Sequence, residues 1–373
     1  MKTKMHIIIS GGGTGGHIFP AISIANALKA KLPDAEFLFV GAEGRMEMER
    51  VPQAGYEIIG LPIMGFDRKN LLRNIKVIFS LLKSLLKARK IIREFKPDVV
   101  VGVGGYASGA VLQAANWAKV PTVLQEQNSF AGVTNKLLAK KASLICVAYE
   151  GMERFFPKDK IILTGNPTRE LKIKNEELKE AYDFFGFNQN RKTLLIIGGS
   201  LGARTINESI VSGLETLGRA DIQIIWQTGK FYKDEMIRRS AEYFTKKTQI
   251  FMPELLTMDF VSRMDYAYGI ADLVISRAGA SSISELCLLG KAAILVPSPN
   301  VAEDHQTHNA MALVNKNAAV LVKDGEAREK LVDTALELIN SDLKELQENI
   351  VKLALPNAAN RIADEILKLI FKK

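Results

Sequence analysis

The chain has 373 residues, 47% of them hydrophobic and 24% charged, a composition typical of a globular protein large enough for two domains. Cys146 and Cys287 lie in apolar stretches, which predicts buried free thiols in a reducing compartment and no disulfide or zinc framework. The start lacks a signal peptide's apolar segment, and no apolar run approaches the ~20 residues that span a membrane. We expect a cytoplasmic protein, or one bound to the cytoplasmic face of a membrane.

Short apolar runs alternate with amphipathic helical patterns in the first half of the chain. The predicted strands are 5–9, 36–40, 56–60, 98–103, 121–125, 143–147 and 160–163. The predicted helices are 18–31, 46–54, 71–94, 107–118, 132–140 and 149–155. This alternation predicts a parallel, doubly wound α/β sheet.

The alternation starts again after a predicted hinge at residues 165–169, where Gly and Pro precede a polar run. The second set of predicted strands is 192–197, 222–226, 248–251, 272–276, 292–296 and 318–322. Its predicted helices are 203–217, 231–243, 262–269, 281–289, 304–316 and 327–339. A last amphipathic helix, 358–371, follows Pro356 and is expected to cross back onto the first domain.

The positive charge is concentrated in the first half. Residues 1–166 carry 23 Lys and Arg against 13 Asp and Glu, whereas residues 167–373 carry 27 against 28. The segment 67–96 holds ten basic and two acidic residues among leucines and isoleucines at helical spacing. It is either an outer helix with a solvated basic face or, in addition, a surface for anionic lipid. Nucleic acid is disfavoured because the segment shows no aromatic stacking platform and no nucleic-acid recognition motif.

Two glycine-rich loops each follow a predicted strand and precede a predicted helix, at residues 11–16 and 198–203. This arrangement directs backbone N–H groups at an anion, so two such loops predict twin phosphate-binding domains. The first loop also fits the dinucleotide fingerprint, but an acidic residue at the end of the second strand is missing and Glu43 comes late. His17 begins the next helix, where it suits a general base or a phosphate donor. His6, inside a strand, is predicted to be structural.

Further polar turns stand at predicted strand ends, where ligands of open α/β sheets gather. The turn at 103–109 and the run Glu126–Asn128 belong to the first half, and the run 276–285 to the second. Glu285 could accept two hydrogen bonds from a ribose diol, or it could be a first-turn glutamate favoured by the helix dipole. The run 303–309 suits sugar hydroxyls; a metal site of Asp304, His305 and His308 has no further supporting ligand pattern.

These motifs stand in one order along the chain, and together they resemble the MurG family of peptidoglycan N-acetylglucosaminyltransferases from about residue 5 to the C-terminus. The quoted segments are 12–17, 104–106, 126–128, 165–169, 198–203, 276–285 and 304–306. The resemblance implies two Rossmann-like domains facing across a cleft, the GT-B architecture. Residues 1–166 with about 356–373 would form an acceptor-binding, membrane-associating domain, and 167–355 would bind UDP-GlcNAc.

The resemblance also implies the reaction and its partners. GlcNAc would pass from UDP-GlcNAc to the C4 hydroxyl of MurNAc-pentapeptide on diphospho-undecaprenol, with inversion, converting lipid I to lipid II. The protein would sit peripherally on the cytoplasmic side of the plasma membrane, against anionic lipid and without nucleic acid. No cofactor and no essential metal are implied, since backbone N–H groups and a helix dipole can stabilise the departing diphosphate.

Site residues carry over from the resemblance position by position. The implied UDP-GlcNAc-binding residues are Thr14, Gly15, Gly16, Asn128, Arg169, Ser200, Val261, Ala280, Ser281, Ser282, Ile283, Ser284, Glu285 and Gln306. The implied acceptor-diphosphate residues are Gly13, Thr14, Gly104, Gly105 and Tyr106. The implied membrane surface comprises Arg73, Ile75, Lys76, Phe79, Lys83, Lys87, Arg89, Trp117 and Lys140.

The general base is left open between His17, which is favoured, and Glu126. Some family members have His where this chain has Gln125, so a base at that position is excluded here. Three other functions remain as alternatives: a dinucleotide oxidoreductase that uses only the first loop, a non-catalytic sugar-nucleotide sensor, and another UDP-sugar enzyme of this fold. The last class includes a sugar-nucleotide epimerase and a diacylglycerol glycosyltransferase.

Overall fold

The computed structural model describes residues 4–65, 73–168, 171, 173–199, 201–245 and 254–371. The chain divides into two compact units. Unit 1 comprises Met1–Arg169 and Leu355–Lys373, and unit 2 comprises Glu170–Ala354. Each unit is a parallel α/β sheet covered by helices, so the predicted pair of Rossmann-like domains is confirmed.

The sheet of unit 1 has the order β3-β2-β1-β4-β5-β6-β7, with every pairing parallel. Its strands are β1 His6–Ser10, β2 Glu36–Ala42, β3 Glu57–Leu61, β4 Val99–Gly102, β5 Thr122–Glu126, β6 Leu144–Val147 and β7 Ile161–Leu163. The central strands β1 and β4 are almost entirely apolar and buried, because helices cover both faces of the sheet.

The helices of unit 1 lie between these strands. They are α1 Gly15–Lys31, α2 Glu47–Gln53, α3 Arg73–Phe95, α4 Tyr106–Trp117 and α5 Val133–Leu138. Helix α3 buries one face at 3–4-residue spacing and leaves the other to solvent; the buried residues include Val77, Ser80, Ser84 and Ala88.

The sheet of unit 2 has the order β10-β9-β8-β11-β12-β13 and is also parallel. Its strands are β8 Lys192–Ile197, β9 Ile222–Gln227, β10 Glu254–Met258, β11 Leu273–Ser276, β12 Ala292–Leu295 and β13 Val320–Leu321. Its helices are α6 Leu178–Phe185, α7 Arg204–Ser212, α8 Leu214–Arg219, α9 Lys233–Thr245, α10 Met264–Ile270, α11 Ala280–Leu289, α12 His305–Val314, α13 Ala327–Ile339 and α14 Lys344–Val351.

The last helix, α15 Ala358–Phe371, belongs to unit 1, as predicted. Its apolar face, with Ile362 and Ile366 fully buried, joins the core formed by α1 and one face of the sheet. Lys31 at the end of α1 forms an ion pair of 2.9 Å with Asp364. The sequence after unit 2 therefore completes the core of unit 1.

Several predicted elements differ from the structure. Residues 149–155 contain a single 3-10 turn, Met152–Arg154, because Gly151 takes a left-handed conformation with φ +74°. The predicted helix 203–217 is two helices, α7 and α8, separated at Gly213. The strand predicted at 248–251 lies outside the described residues, while α6, α14 and β10 were not predicted.

Candidate functional site

The first glycine-rich loop carries β1 into α1, and its conformation holds His17 in place. Thr14 has extended backbone angles ahead of the helix, and its carbonyl accepts the N–H groups of His17 and Ile18. Gly13 has φ +89°, a conformation that side chains other than that of glycine rarely adopt. The Nδ1 atom of His17 lies 3.1 Å from the carbonyl oxygen of Gly12.

A second turn, between β4 and α4, packs against the first. A Cβ atom on Gly105 would lie 2.8 Å from the carbonyl oxygen of Gly12, and one on Gly104 would lie 2.8 Å from Nε2 of His17. Tyr106 begins α4 with half of its side chain exposed. The structure therefore brings together the residues predicted for the acceptor diphosphate, with His17 beside them.

A buried carboxyl group that the sequence did not single out supports the first loop. Glu47, at the start of α2, is 1% exposed. Its Oε2 accepts the N–H of Gly13 at 2.9 Å, and its Oε1 accepts the N–H of Ala42 at 2.9 Å. The N–H of Gly13 is therefore already bonded inside unit 1, and the sequence pattern, a glutamate in a first helical turn, gave no sign of this.

Glu126, the second candidate for the base, is 2% exposed and bonded at both carboxyl oxygens. Its Oε1 accepts the backbone and side-chain N–H groups of Asn128 at 3.1 and 3.3 Å. Its Oε2 accepts the N–H of Gly132 at 3.0 Å and Nδ2 of Asn135 at 2.8 Å. Four donors thus surround this carboxyl group, an arrangement that braces the loop from β5 to α5.

A buried amide network holds the end of β5 next to the hinge. Nε2 of Gln125 donates to Oδ1 of Asn166 at 3.2 Å, and Nδ2 of Asn166 donates to the carbonyl of Gln127 at 3.0 Å. Nε2 of Gln127 donates in turn to the carbonyl of Val103 at 2.8 Å, and also to Gln125. Gln125 is therefore a structural amide, which agrees with its exclusion as a base.

In unit 2 one side chain connects the glycine-rich loop after β8 to the segment that precedes α10. Gln227, 2% exposed at the end of β9, donates from Nε2 to the carbonyl of Gly199 at 3.2 Å. Its Oε1 accepts the backbone N–H of Val261 at 2.9 Å. The N–H of Val261 is therefore bonded within unit 2. Gln227 was not predicted, because nothing in the spacing of β9 marks it.

The run 276–285 forms the turn from β11 into α11, which begins at Ala280 after Gly279. Ser281, Ser282 and Ser284 are partly exposed, as their predicted role requires. Ile283 is 1% exposed and its N–H donates to the carbonyl of Gly279 at 3.0 Å, so its side chain belongs to the core. The assignment of Ile283 as a UDP-GlcNAc-binding residue stays a prediction.

Glu285 lies between Ser284 and the buried Leu286, and its Oε2 accepts a hydrogen bond of 3.3 Å from the hydroxyl of Tyr268. Arg277, just before α11, donates to the carbonyls of Val296 and Pro297 and forms a tight ion pair with Asp324. These contacts fix the turn that leads into α11, so that its N-terminus has a defined position.

Gln306 stands in the first turn of α12 and accepts the N–H of Ser298 through Oε1 at 2.9 Å. Glu303 and Asp304, the two residues before α12, have φ values of +54° and +50°. Two successive left-handed residues other than glycine are costly, about 1–3 kcal/mol each, and such strain is concentrated at functional sites. The segment ahead of α12 is thus held in a specialised conformation.

The predicted structural roles of His6, Cys146 and Cys287 agree with their surroundings. Nδ1 of His6 lies 2.8 Å from the carbonyl of Phe95, and Cys146 and Cys287 are buried free thiols. Burial raises the pKa of each thiol to about 12. Within the described part of the chain, no cluster of three or more His, Cys, Asp or Glu side chains is placed to hold a metal.

The outer face of α3 combines exposed apolar and basic side chains. Ile78, Phe79, Leu82 and Leu86 are each more than half exposed. Lys76, Lys83, Arg89 and Lys90 are exposed on the same helix. The Arg89 guanidinium lies 5.7 Å from the ring of the half-exposed Trp117, so Trp117 borders this face. Lys87 on the same helix forms an ion pair of 3.0 Å with Glu43, and its place on the membrane surface stays a prediction.

Some predicted site residues cannot be placed. Arg169 and Ser200 lie outside the described residues, as do the side chains of Arg73 and Ile75. Lys140, after α5, is exposed, and its carbonyl accepts a hydrogen bond of 2.7 Å from Lys160. Among the helices of the described residues, none combines the length and apolar character that a bilayer crossing needs.

Comparison with known proteins gives full-length similarity. A protein of Parabacteroides distasonis is 61% identical over 373 residues, covering 99% of this chain and 100% of the relative. One of Bacteroides fragilis is 60% identical, covering 98% and 96%. Both relatives are called UDP-N-acetylglucosamine--N-acetylmuramyl-(pentapeptide) pyrophosphoryl-undecaprenol N-acetylglucosamine transferase.

Solved structures agree with this similarity. The crystal structure of Acinetobacter baumannii MurG is 28% identical with a TM-score of 0.76, covering 98% of this chain and 99% of that one. A UDP-GlcNAc 2-epimerase from Neisseria meningitidis, 16% identical with a TM-score of 0.65, covers 98% of this chain and 100% of its own, and shares the fold alone.

Two family domains match most of the chain. The glycosyltransferase family 28 N-terminal domain matches residues 7–147, which lie in unit 1. The glycosyltransferase family 28 C-terminal domain matches residues 193–366, which begin at β8 and end within α15. The oxidoreductase alternative is excluded by this result. The chain belongs to glycosyltransferase family 28 and, within it, to the MurG family.

Proposed function

We propose that this protein transfers GlcNAc from UDP-GlcNAc to the C4 hydroxyl of MurNAc-pentapeptide on diphospho-undecaprenol, with inversion at the anomeric carbon. The observation that carries the proposal is the full-length identity of 61% with a transferase of that printed name. The geometry of the first loop supports it, because an imidazole stands beside two glycine turns suited to a phosphorylated acceptor.

His17 is the proposed general base. Because the carbonyl of Gly12 only accepts hydrogen bonds, Nδ1 of His17 carries the proton there and Nε2 is the atom left to take one. Nε2 lies on the side of Gly104, where the acceptor diphosphate is proposed to bind. Glu126 suits the role less well, because its two oxygens already accept four hydrogen bonds.

An inverting transfer is an in-line displacement. The base takes the proton of the attacking C4 hydroxyl, the new bond forms at the anomeric carbon, and the bond to the UDP oxygen breaks. Negative charge then develops on the departing diphosphate. We assign its stabilisation to the start of α11, where Ser281 and Ser282 stand in the first turn, and to the loop after β8.

Donor recognition is assigned to unit 2. Glu285 would accept hydrogen bonds from the ribose hydroxyls, the carbonyl of Val261 would read the uracil, and Gln306 would contact the GlcNAc hydroxyls. Arg169, Ser200, Gly15, Gly16 and Asn128 keep their proposed donor contacts on the strength of the resemblance. We also propose that no metal is essential, since N–H donors and a helix terminus are available for the leaving group.

Membrane association is assigned to the outer face of α3. Its exposed apolar side chains would enter the interface of the bilayer, while Lys83, Arg89 and Lys90 would face anionic headgroups at about 1 kcal/mol each. In this proposal the enzyme binds peripherally to the cytoplasmic side of the plasma membrane, where a lipid-linked acceptor is presented.

The decisive experiment is transfer of radiolabelled GlcNAc from UDP-GlcNAc to a short-chain lipid I analogue, in EDTA and with a no-acceptor control. Labelled product that depends on the acceptor supports the proposed reaction without an essential metal. Consumption of UDP-GlcNAc in the absence of acceptor would indicate an epimerase or hydrolase. Transfer to diacylglycerol instead would indicate a different lipid acceptor, and donor binding without any turnover would indicate a sensor.

A further inference from the structure

Glu47 is a buried acidic side chain that no step of the proposed reaction uses. It is 1% exposed, and each of its carboxyl oxygens accepts one backbone N–H at 2.9 Å, from Gly13 and from Ala42. The fit is close, because a Cβ atom on Gly12 would lie 2.1 Å from Oε1 of Glu47. A buried carboxyl group that packs this closely against the proposed catalytic loop is expected to have a structural or functional role.

One peptide group connects Glu47 to His17. The N–H of Gly13 and the carbonyl of Gly12 belong to the same planar peptide, in which they point in opposite directions. Glu47 bonds the N–H side at 2.9 Å, and Nδ1 of His17 lies 3.1 Å from the oxygen on the other side. The carboxyl group therefore fixes the orientation of the same peptide that orients the imidazole.

The chemistry of this chain of contacts is directional. A carbonyl oxygen is only an acceptor, so the neutral imidazole must carry its hydrogen on Nδ1 and leave Nε2 unprotonated. When the N–H of a peptide donates to an acceptor such as Glu47, the carbonyl of the same peptide becomes more polarised. The hydrogen bond that this carbonyl accepts, here from Nδ1–H of His17, becomes stronger. When Nε2 takes a proton, the imidazolium keeps its Nδ1–H bond to Gly12 and gains attraction from the acid beyond it.

We propose that Glu47 is a positioning residue that sets the tautomer and orientation of His17 through the Gly12–Gly13 peptide. It acts on the base from the opposite side of a backbone group, without touching the imidazole. The inference rests on the proposed role of His17 as the base, but its structural part, the tautomer, can be measured in the absence of any substrate.

The first test is a two-bond ¹H–¹⁵N correlation spectrum of protein labelled at histidine. The chain has four histidines, so a His17→Gln variant assigns the signal of His17. We expect the Nδ1–H tautomer in the parent protein and a population shifted towards the Nε2–H tautomer in the near-isosteric Glu47→Gln variant. An Nε2–H tautomer in the parent, or no change in Glu47→Gln, would overturn the proposal.

The second test is steady-state kinetics of Glu47→Gln beside Glu49→Gln. Glu49 is an exposed glutamate on the same helix, so it controls for the loss of one carboxyl group from α2. We expect kcat to fall by about 10-fold or more in Glu47→Gln, as for other disturbed general bases, with the KM for UDP-GlcNAc nearly unchanged. Glu49→Gln should match the parent.

A failure of the proposed role of Glu47 can be distinguished from a failure of the proposed transferase function. If Glu47 only stabilises the loop, Glu47→Gln will lower the melting temperature while kcat per folded molecule and the tautomer stay unchanged; Glu47→Asp will behave in the same way. If the proposed transferase function is wrong, the parent will show no turnover with the lipid I analogue. The tautomer measurement would then still decide whether Glu47 orients His17.

Discussion

The side-chain oxygen of Gln227 accepts a 2.9 Å hydrogen bond from the backbone N–H of Val261, while the nitrogen of the same amide donates to Gly199. One buried amide therefore joins two loops that are proposed to bind different parts of UDP-GlcNAc. The loop after β8 would hold the diphosphate, and the segment at Val261 would hold the uracil. Their separation is set by a residue that contacts neither group directly.

Replacing Gln227 with Leu should weaken donor binding. The change removes the acceptor of the buried N–H of Val261, at a cost of about 1–3 kcal/mol, and one of the two hydrogen bonds to the carbonyl of Gly199, so the two loops are free to separate. We expect the KM for UDP-GlcNAc to rise by roughly 10-fold with a smaller effect on kcat. Gln223→Leu is the matched control. Gln223 is also buried on β9, but it lies at the opposite end of the strand and bonds Asn188 and Thr193. Equal donor KM values in the two variants would contradict the coupling.

His17→Ala and Glu126→Gln should fail in different ways. Loss of the base should reduce kcat by about 10²-fold or more with donor affinity largely kept. Glu126→Gln keeps the shape but places an NH₂ group among four donors, so it should lower the free energy of unfolding by about 1–3 kcal/mol. Thermal denaturation and kcat per folded molecule separate the effects. Near-normal kcat in His17→Ala would move the base elsewhere.

Glu285→Ala should act on donor affinity. If its carboxylate holds the ribose hydroxyls, its removal should weaken UDP-GlcNAc binding by roughly 10- to 100-fold, the range for hydrogen bonds to a charged group. Isothermal titration of UDP measures this directly. Glu345→Ala, an exposed glutamate on α14, is the control. An unchanged affinity would leave Glu285 with a role in helix stability alone.

Charge reversal on α3 should abolish binding to anionic vesicles. The triple variant Lys83→Glu, Arg89→Glu, Lys90→Glu removes three exposed positive charges worth about 1 kcal/mol each near such a surface. The control reverses three exposed lysines of unit 2: Lys179, Lys344 and Lys352. Cosedimentation with vesicles of phosphatidylglycerol should separate the two variants by at least about 10²-fold in affinity. Equal binding would place the membrane surface elsewhere.

Gly165→Ala should loosen the attachment of the last helix. Gly165 has φ +89°, and a Cβ atom there would lie 2.7 Å from Cβ of Leu355 and 3.3 Å from Cβ of Ala358. Gly151, with φ +74° and no atom within 4 Å of its added Cβ, controls for the backbone conformation. We expect Gly165→Ala to cost about 1–3 kcal/mol more than Gly151→Ala in urea unfolding, since overpacking adds to strain. Equal losses of unfolding free energy in the two variants would show that the contact of residue 165 with Leu355 and Ala358 relaxes without cost.

The sheets could be predicted because each central strand is a short, mostly apolar run, and in β1 and β8 that run is followed directly by glycine. Strand β1 before Gly11 and β8 before Gly198 give this signal within a few residues, and the loops and helix starts follow from it. Helix α6 was missed because the polar run ahead of it suggested a linker, although Ala181 and Phe185 bury one face. Whether such a short helix forms depends on the residues that pack against it.

The supporting residues of the site could not be predicted in the same way. Glu47 and Gln227 are polar residues whose partners lie on other elements, so their roles depend on which backbone groups the fold brings near them. Spacing along the chain carries no information about such contacts. The glycine turns and His17, by contrast, can be recognised from residues that are neighbours in the sequence.

The return of α15 to unit 1 has a consequence for synthesis of the protein on the ribosome. Ile24 and Leu28 of α1 belong to the same buried core as Ile362 and Ile366, so that core is not complete until the end of the chain has been made. At about 5–20 residues per second, translating unit 2 delays that completion by roughly ten to forty seconds. Unit 2, although second in the sequence, is therefore free to finish folding before unit 1. Until then, nascent unit 1 exposes an apolar surface to which chaperones can bind.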